Sequence, residues 1–325
     1  MFSVVIPLYN KEKYILRAVE SVLSQSFTDF ELIIVDDGSV DDSLETIKSI
    51  SDSRIRIIKQ ANQGVGSARN KGMAEAKYDW IALLDADDAW SMNHLNELTK
   101  IINIFPSVGM VANKFLAINT NIKPPTINED EPSNIRFVDY FLEASKNMNI
   151  VWSSAVAISK EAFNNVGGFS DEKMGEDLKY WAKIALSYPV ATSDKVTSYY
   201  FRGTNGVTES DAVVNKKHEH ITSLRGISPS VDMLIGKAIE DPTILKKNNI
   251  RKYINSRVYN AVVAAIFRED FAIGKSYAKL ALPQQETRYI FLKLYQITPV
   301  LVLRKVKAEY SRYKMKKTDS VSKKS

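Results

Sequence analysis

The first 113 residues alternate between short apolar runs and stretches whose apolar positions recur at helical spacing. "FSVVIPLY" (2–9) is apolar and β-branched, the mark of a buried strand, and Ile15, Ala18, Val19, Val22 and Leu23 follow at helical intervals. "FELIIVDD" and "RIRIIKQ" read as the second and third strands, joined by a helix from about Asp42 to Ile50 that opens on an acidic capping box, Asp42 with Glu45. A helix from about Gly66 to Ala76 leads into "DWIALLDAD", and Leu95, Leu98, Ile101, Ile102 and Phe105 mark another before "VGMVAN". Strands alternating with helices of this length predict right-handed βαβ units and a mostly parallel sheet covered on both faces.

The pattern then changes twice. From about Ile118 to Ser133 it loses periodicity and gathers prolines, which predicts a long loop. Regular structure resumes near Phe137, with "SSAVAISK" and "VTSYYFR" as strands and "GEDLKYWAKIAL" as a helix that starts at its acidic pair. Beyond about Asn215 the pattern is helical only. The expected organisation is an α/β domain over 1–214, with halves of about 1–113 and 134–214, and a helical region over 215–325.

Parallel sheets of this kind bind ligands at the carboxyl ends of their strands. The polar clusters "YN", "DDGS", "QGVGSARN" and "DADD" each follow one of the first four strands, so they should meet on one rim. In "LLDADDAW" the carboxylates Asp85 and Asp87 are two apart, which puts them on one side of an extended strand end, and Asp88 begins the turn beyond. Three such groups repel one another unless something positive lies between them. They suit a hard divalent cation held partly by substrate phosphates, or else they form a solvated acidic turn. "VDDGS" reads as an Asx turn with Gly38 left-handed and a helix N-cap after it, which leaves the second carboxylate of Asp36 and Asp37 to contact a base or ribose. "GVGSARNKG" differs from a dinucleotide fingerprint: Arg69 replaces the third glycine and the segment follows the third strand rather than the first. Glu176 and Asp177 compensate a helix dipole or supply a general base, and spacing alone does not choose.

Composition narrows the classes. The chain of 325 residues has 45% hydrophobic and 25% charged residues, no cysteine and three histidines. Disulfides, thiolate zinc sites and a cysteine nucleophile are thereby excluded, and the composition fits a reducing compartment. The N-terminus reads as a strand rather than a signal peptide, and no apolar run approaches the ~20 residues needed to span a bilayer. The net charge of +6 is unevenly placed: residues 304–325 carry nine Lys/Arg against Glu309 and Asp319, a net of +7, which leaves about −1 elsewhere. A nucleic-acid binder is disfavoured because no basic stripe runs along the body. The apolar run "YIFLKLYQITPVLVL" meeting a basic tail suits docking at an anionic membrane surface, or packing on the domain with a solvated end.

In order, "VVIPLYN", "VDDGSVDDS", "NQGVGSARNKG", "LLDADDAW", "VGGF" and "GEDLKYW" resemble glycosyltransferase family 2, over roughly residues 2–202. The resemblance implies a GT-A fold with a mostly parallel mixed sheet, an inverting transfer from a nucleotide sugar, UDP-linked by family habit, and Mn²⁺ or Mg²⁺ as cofactor. It implies that Pro7, Tyr9 and Asn10 line the base pocket and that Asp37, with Asp36 beside it, contacts the base. Arg69 would help hold the nucleotide, Asp85 and Asp87 would face ribose and metal, with Asp88 competing with Asp87 for the metal. Asp177, with Glu176 adjacent, would be the base. The Gln-x-x-Arg-Trp motif of processive synthases is missing, which favours single addition, and Met92 stands where many relatives have proline. The acceptor would be a saccharide or lipid-linked saccharide in surface polysaccharide or glycolipid assembly, with the enzyme cytoplasmic or peripheral at the inner face of the membrane. Two rival readings are a phosphatase-like transferase, whose D-x-D belongs after the first strand, and a non-catalytic nucleotide-sugar binder or scaffold.

Overall fold

The structure, a computed structural model, describes residues 1–120, 124–125, 132–204, 227–305 and 307. The chain divides into two compact units, Met1–Thr222 and Ser223–Ser325. The boundary expected near Asn215, most of the expected loop over 118–133, and the tail from residue 308 lie outside the described residues.

The first unit opens with β1 (Phe2–Leu8), α1 (Ile15–Leu23), β2 (Phe30–Asp36), α2 (Ser43–Lys48), β3 (Ile55–Lys59), α3 (Val65–Glu75) and β4 (Trp80–Leu83). Every residue of β1 and β2 is buried, as strands covered on both faces must be. α1 turns Ile15, Ala18, Val19 and Val22 into the core, which their spacing requires. There follow β5 (Ala89–Trp90), α4 (His94–Ile104), β6 (Met110–Asn119), β7 (Ile135–Val138), α5 (Tyr140–Lys146), β8 (Val156–Ser159), α6 (Lys160–Val166), α7 (Glu176–Ser187) and β9 (Val190–Arg202).

Among the described residues these strands form one nine-stranded sheet in the order β3-β2-β1-β4-β8-β6-β9-β5, with β7 also on β9. The sheet is parallel from β3 to β4 and again between β6 and β9. It is antiparallel wherever β8, β5 or β7 joins. The sheet is mixed, as expected: its parallel run β3-β2-β1-β4 is interrupted where β8, from the later half of the first unit, inserts antiparallel between β4 and β6. Leu8 pairs with Asp36 and Asp36 with Lys59, while Leu83 pairs with Val5, so the carboxyl ends of four strands open on one rim.

Two local expectations change. The capping box at Asp42 does not form; Asp41 instead accepts from the Ser43 N–H at 3.0 Å, and the Asp42 N–H goes to Glu12. The Asx turn does form, with Gly38 at φ +78° and the Ser39 N–H 3.0 Å from Asp36 Oδ1, but Ser39 caps no helix; its hydroxyl accepts from the Asn10 N–H. α3 lies close on the sheet because Gly72 has no side chain: a Cβ there would stand 2.4 Å from Val5 Cγ1.

The second unit contains α8 (Pro229–Glu240), α9 (Asn248–Phe267), α10 (Phe271–Ala278) and α11 (Thr287–Ile297), and no strand among the described residues. Its core gathers Ile250, Tyr253, Ile254, Val258 and Val262 from α9 with Leu292 and Tyr295 from α11. No helix among the described residues is long and apolar enough to cross a membrane.

Candidate active site

Asp85, Asp87 and Asp88 leave β4 in three directions. The strand ends at Leu83, and the Asp88 N–H closes a turn onto the Asp85 carbonyl at 3.0 Å, so Asp85 and Asp87 do not share the side that extended backbone would give them. Each carboxylate has its own partner. Asp85 Oδ1 accepts from Arg69 Nη2 at 2.7 Å. Asp87 Oδ2 accepts from Lys11 Nζ at 2.7 Å and from the Thr204 hydroxyl at 2.8 Å, while its carbonyl accepts from Arg17. Asp88, 1% exposed, accepts from the Ser154 hydroxyl and, at 3.1 Å, from the Phe201 N–H. Burial pushes the Asp88 carboxyl well above the usual range and the charges of Asp85 and Asp87 add to that, against the pull of its two hydrogen bonds. The positive groups that three adjacent carboxylates need are thus supplied by the chain itself, by Arg69 and Lys11.

Arg69 is the centre of the arrangement. It is buried in α3, and its second nitrogen lies 3.3 Å from Glu176 Oε1 at the start of α7, so one guanidinium bridges β4 and α7. Burial works against its charge, but Asp85, Glu176 and Asp177 outweigh that and hold it protonated above the ordinary arginine range. The approach of α7 depends on small residues. A Cβ on Gly66 would stand 3.2 Å from the Ser170 carbonyl and 3.9 Å from Glu176 Cγ, and Gly175 takes φ +80° just ahead of the helix. Asn70, next to Arg69, exchanges two hydrogen bonds of 2.8 Å with the Phe169 backbone and so pins "VGGF" against α3.

Burial lifts Glu176 to about 7, with Arg69 opposing and Asp177 adding to the rise. Asp177 is half-buried, and burial lifts it above the usual carboxylate range, with its 2.6 Å bond from the Leu178 N–H and the Arg69 charge opposing. A carboxylate whose proton affinity is raised this way is suited to accept a proton.

The base-pocket residues divide. Tyr9 is 46% exposed and Asn10, at φ +50°, accepts from the Val40 N–H, so both stand at the surface of the rim. Pro7 is buried inside β1. Asp37 is buried and accepts from Gln60 Nε2 at 2.8 Å, the Gln63 N–H at 2.9 Å and the Gly64 N–H at 2.8 Å, so it fixes the turn into α3. Five residues with direct bonds to the site were not singled out from the sequence: Lys11, Arg17, Asn70, Ser154 and Thr204. Lys11 lay within the rim segment after "YN" and was findable as the nearest cation; the others come from segments 66 to 117 positions away from their partners. Among the described residues, no three carboxylates or histidines gather into a metal cage.

Residues 3–167, just over half of the chain, match the family model described as Glycosyl transferase family 2. The chain belongs to that family. It is 42% identical over 106 residues to the minor teichoic acid biosynthesis protein GgaA of Bacillus subtilis, a stretch of 30% of this chain and 24% of GgaA. The match thus spans about a quarter of that relative's length. Among solved structures it is similar to S. aureus TarS 1–349, with a TM-score of 0.61 and 18% identity over 96% of this chain and 91% of that one. It is also similar to the mannosyltransferase PcManGT from Pyrobaculum calidifontis in complex with GDP-Man and Mn²⁺, at a TM-score of 0.52 and 18% identity over 95% and 87%. These likenesses establish the GT-A-like fold of a glycosyltransferase family 2 chain. The family match ends at Gly167, ahead of Glu176 and Asp177, whose assignment rests on the geometry around Arg69.

Proposed function

We propose that the chain is an inverting glycosyltransferase that moves one sugar at a time from a nucleotide sugar to a hydroxyl of a saccharide or lipid-linked saccharide acceptor. The observation that carries this reading is the bridge through buried Arg69, which links the carboxylate that ends β4 to the acidic pair that opens α7. Donor and acceptor groups of such a reaction need that separation with a fixed spacing. TarS 1–349, whose fold this chain shares, is also known in complex with UDP-GlcNAc, which supports a UDP-linked donor. GgaA is a minor teichoic acid biosynthesis protein, which supports an acceptor in surface polymer assembly.

Asp177 takes the proton of the acceptor hydroxyl. The hydroxyl oxygen then bonds to the anomeric carbon from the face opposite the diphosphate, and the electron pair of the breaking bond leaves with the nucleoside diphosphate. Tyr9 and Asn10 offer an exposed ring and amide to the base, and Asp36 and Asp37 hold the backbone behind them. Asp85, steadied by Arg69, faces the ribose. Mn²⁺ or Mg²⁺ fits at Asp87, an oxygen donor at the rim that already draws the Lys11 ammonium, and does not fit at Asp88, which is enclosed with both oxygens engaged. When bound, such a cation offsets the charge that develops on the departing diphosphate.

The test is a panel of nucleotide sugars with candidate saccharide acceptors and Mn²⁺ or Mg²⁺, reading release of the nucleoside diphosphate. Asp177→Asn should keep nucleotide affinity and lose transfer by on the order of a thousandfold, as removal of a general base does. Asp87→Ala should weaken both binding and transfer. Release unchanged in both variants would sink the mechanism, and nucleotide binding without release for every donor would favour a non-catalytic binder.

A further inference from the structure

The outward side of α11 is apolar. Leu292 and Tyr295 face the core of the helical unit at 0% and 2% exposure, while Ile290, Leu294 and Ile297 stand on the opposite side at 56%, 56% and 76%. Their spacing of four and three keeps them in one stripe, the side on which a helix of a globular unit carries polar residues. Beyond the Pro299 turn the next exposed apolar residue is Leu301, at 66%, followed by exposed Arg304 and Lys305. The unit that carries it has 21 Lys/Arg against eight Asp/Glu, and the tail beyond accounts for only part of that surplus.

We propose that the Ile290–Leu294–Ile297–Leu301 face lies in the headgroup–acyl boundary of an anionic lipid bilayer, with Arg304 and Lys305 on the lipid phosphates. An apolar stripe of this width bordered by cations has the amphipathic pattern of a helix lying in the plane of the interface. The helix is too short to span, so it rests on the bilayer rather than crossing it. Charge selects the occupant. Pairing this face with that of a second copy would bring two strongly cationic units together, whereas an anionic leaflet attracts each basic residue near its surface.

The experiment is co-sedimentation of the full chain with phosphatidylcholine vesicles that contain, or lack, about a quarter phosphatidylglycerol, at low and high salt. The native chain should bind the anionic vesicles, lose most of that binding in high salt, and bind the neutral vesicles weakly. The double variant Leu294→Asp, Ile297→Asp alters only exposed positions and should keep the native melting temperature while its partitioning falls by about tenfold or more. Equal binding by native and variant chains would overturn the proposal, as would failure of the native chain to bind anionic vesicles. A native dimer that the double variant converts to a monomer, with no vesicle binding by either, would assign the face to a second copy instead. No donor is needed for this readout, so a chain that binds vesicles but releases no nucleoside diphosphate would leave this inference standing while sinking the transfer reaction.

Discussion

The two units handle charge in opposite ways. Met1–Thr222 carries 23 Lys/Arg against 30 Asp/Glu and buries several of its charged groups, among them Arg69, Asp36, Asp37, Asp88 and Glu97, each with a polar partner. Ser223–Ser325 is strongly basic, and Arg257 is the one charged residue it buries among those described. Its exposed positions include five large apolar side chains between Ile290 and Val302. Burying a charge costs several kcal/mol of desolvation and persists where hydrogen bonds hold it in place. The first unit accepts that cost mainly around the ends of its strands, which holds the rim of the proposed nucleotide-sugar site in order without a ligand. The second unit leaves both cations and apolar groups outside, which suits a broad surface rather than a pocketed ligand.

The sharpest way to break this contrast is to remove the central buried cation. Arg69→Met should destabilise the first unit by about 3–5 kcal/mol, because Asp85 and Glu176 would be left close together without the charge between them. Thermal unfolding read by a probe in that unit, such as Trp181 fluorescence, checks this. A loss below about 1 kcal/mol would mean that the pair behaves like a surface ion pair and that the site is not preordered. In the second unit the equivalent loss should come from an apolar residue: Leu292→Ala, fully buried on α11, should cost about 2–5 kcal/mol.

How much of this was legible beforehand differs along the same line. The strands β1 to β4, their helices and the shared rim follow from β-branched runs and helical spacing, since local periodicity fixes which side of each element is buried. The partners of the carboxylates do not follow, because Ser154 and Asp88 are 66 positions apart, Arg69 and Glu176 107, and Thr204 and Asp87 117. No local pattern encodes a contact of that range. The resemblance implied a mixed sheet, but which strand runs antiparallel was hidden for the same reason: β8 reads as a strand, and nothing in "SSAVAISK" says that it pairs antiparallel on both sides. Charge was legible only as a sum. A basic tail against a nearly neutral remainder concealed an acidic first unit and a helical unit that is basic before its tail begins.

The buried titratable groups of the first unit give it a pH dependence with two opposed parts. Glu176 titrates near 4.5 when unfolded and near 7 when folded, so between those values the folded chain holds a proton that the unfolded chain has lost, and stability falls as pH rises through that window. Asp88 and Asp177, also raised by burial, act in the same direction. His94 acts in the other direction. Burial holds it neutral down to about 3, against the help that Thr197 gives its charged form, so its contribution is present above 6.5 and is lost as pH falls from there. Glu176→Gln should therefore flatten the decline of the melting temperature between pH 4.5 and 7 while leaving the acid-side loss unchanged. An unchanged slope would place the titration elsewhere.

The smallest expected effect separates the two sides of one helix. Leu294 stands two positions from Leu292 on α11 yet 56% exposed rather than enclosed, so Leu294→Ala should change the stability of the helical unit by no more than about 0.5 kcal/mol. The comparison of the two alanine variants by chemical denaturation decides what the outer leucine is for. If Leu294→Ala cost as much as Leu292→Ala, the outer stripe would be part of the unit's own packing and would have no free face to offer. With the predicted near-neutral result, the stripe contributes nothing to holding the helices together, and an apolar row with no structural contribution on a basic unit is explained by what it meets outside the chain.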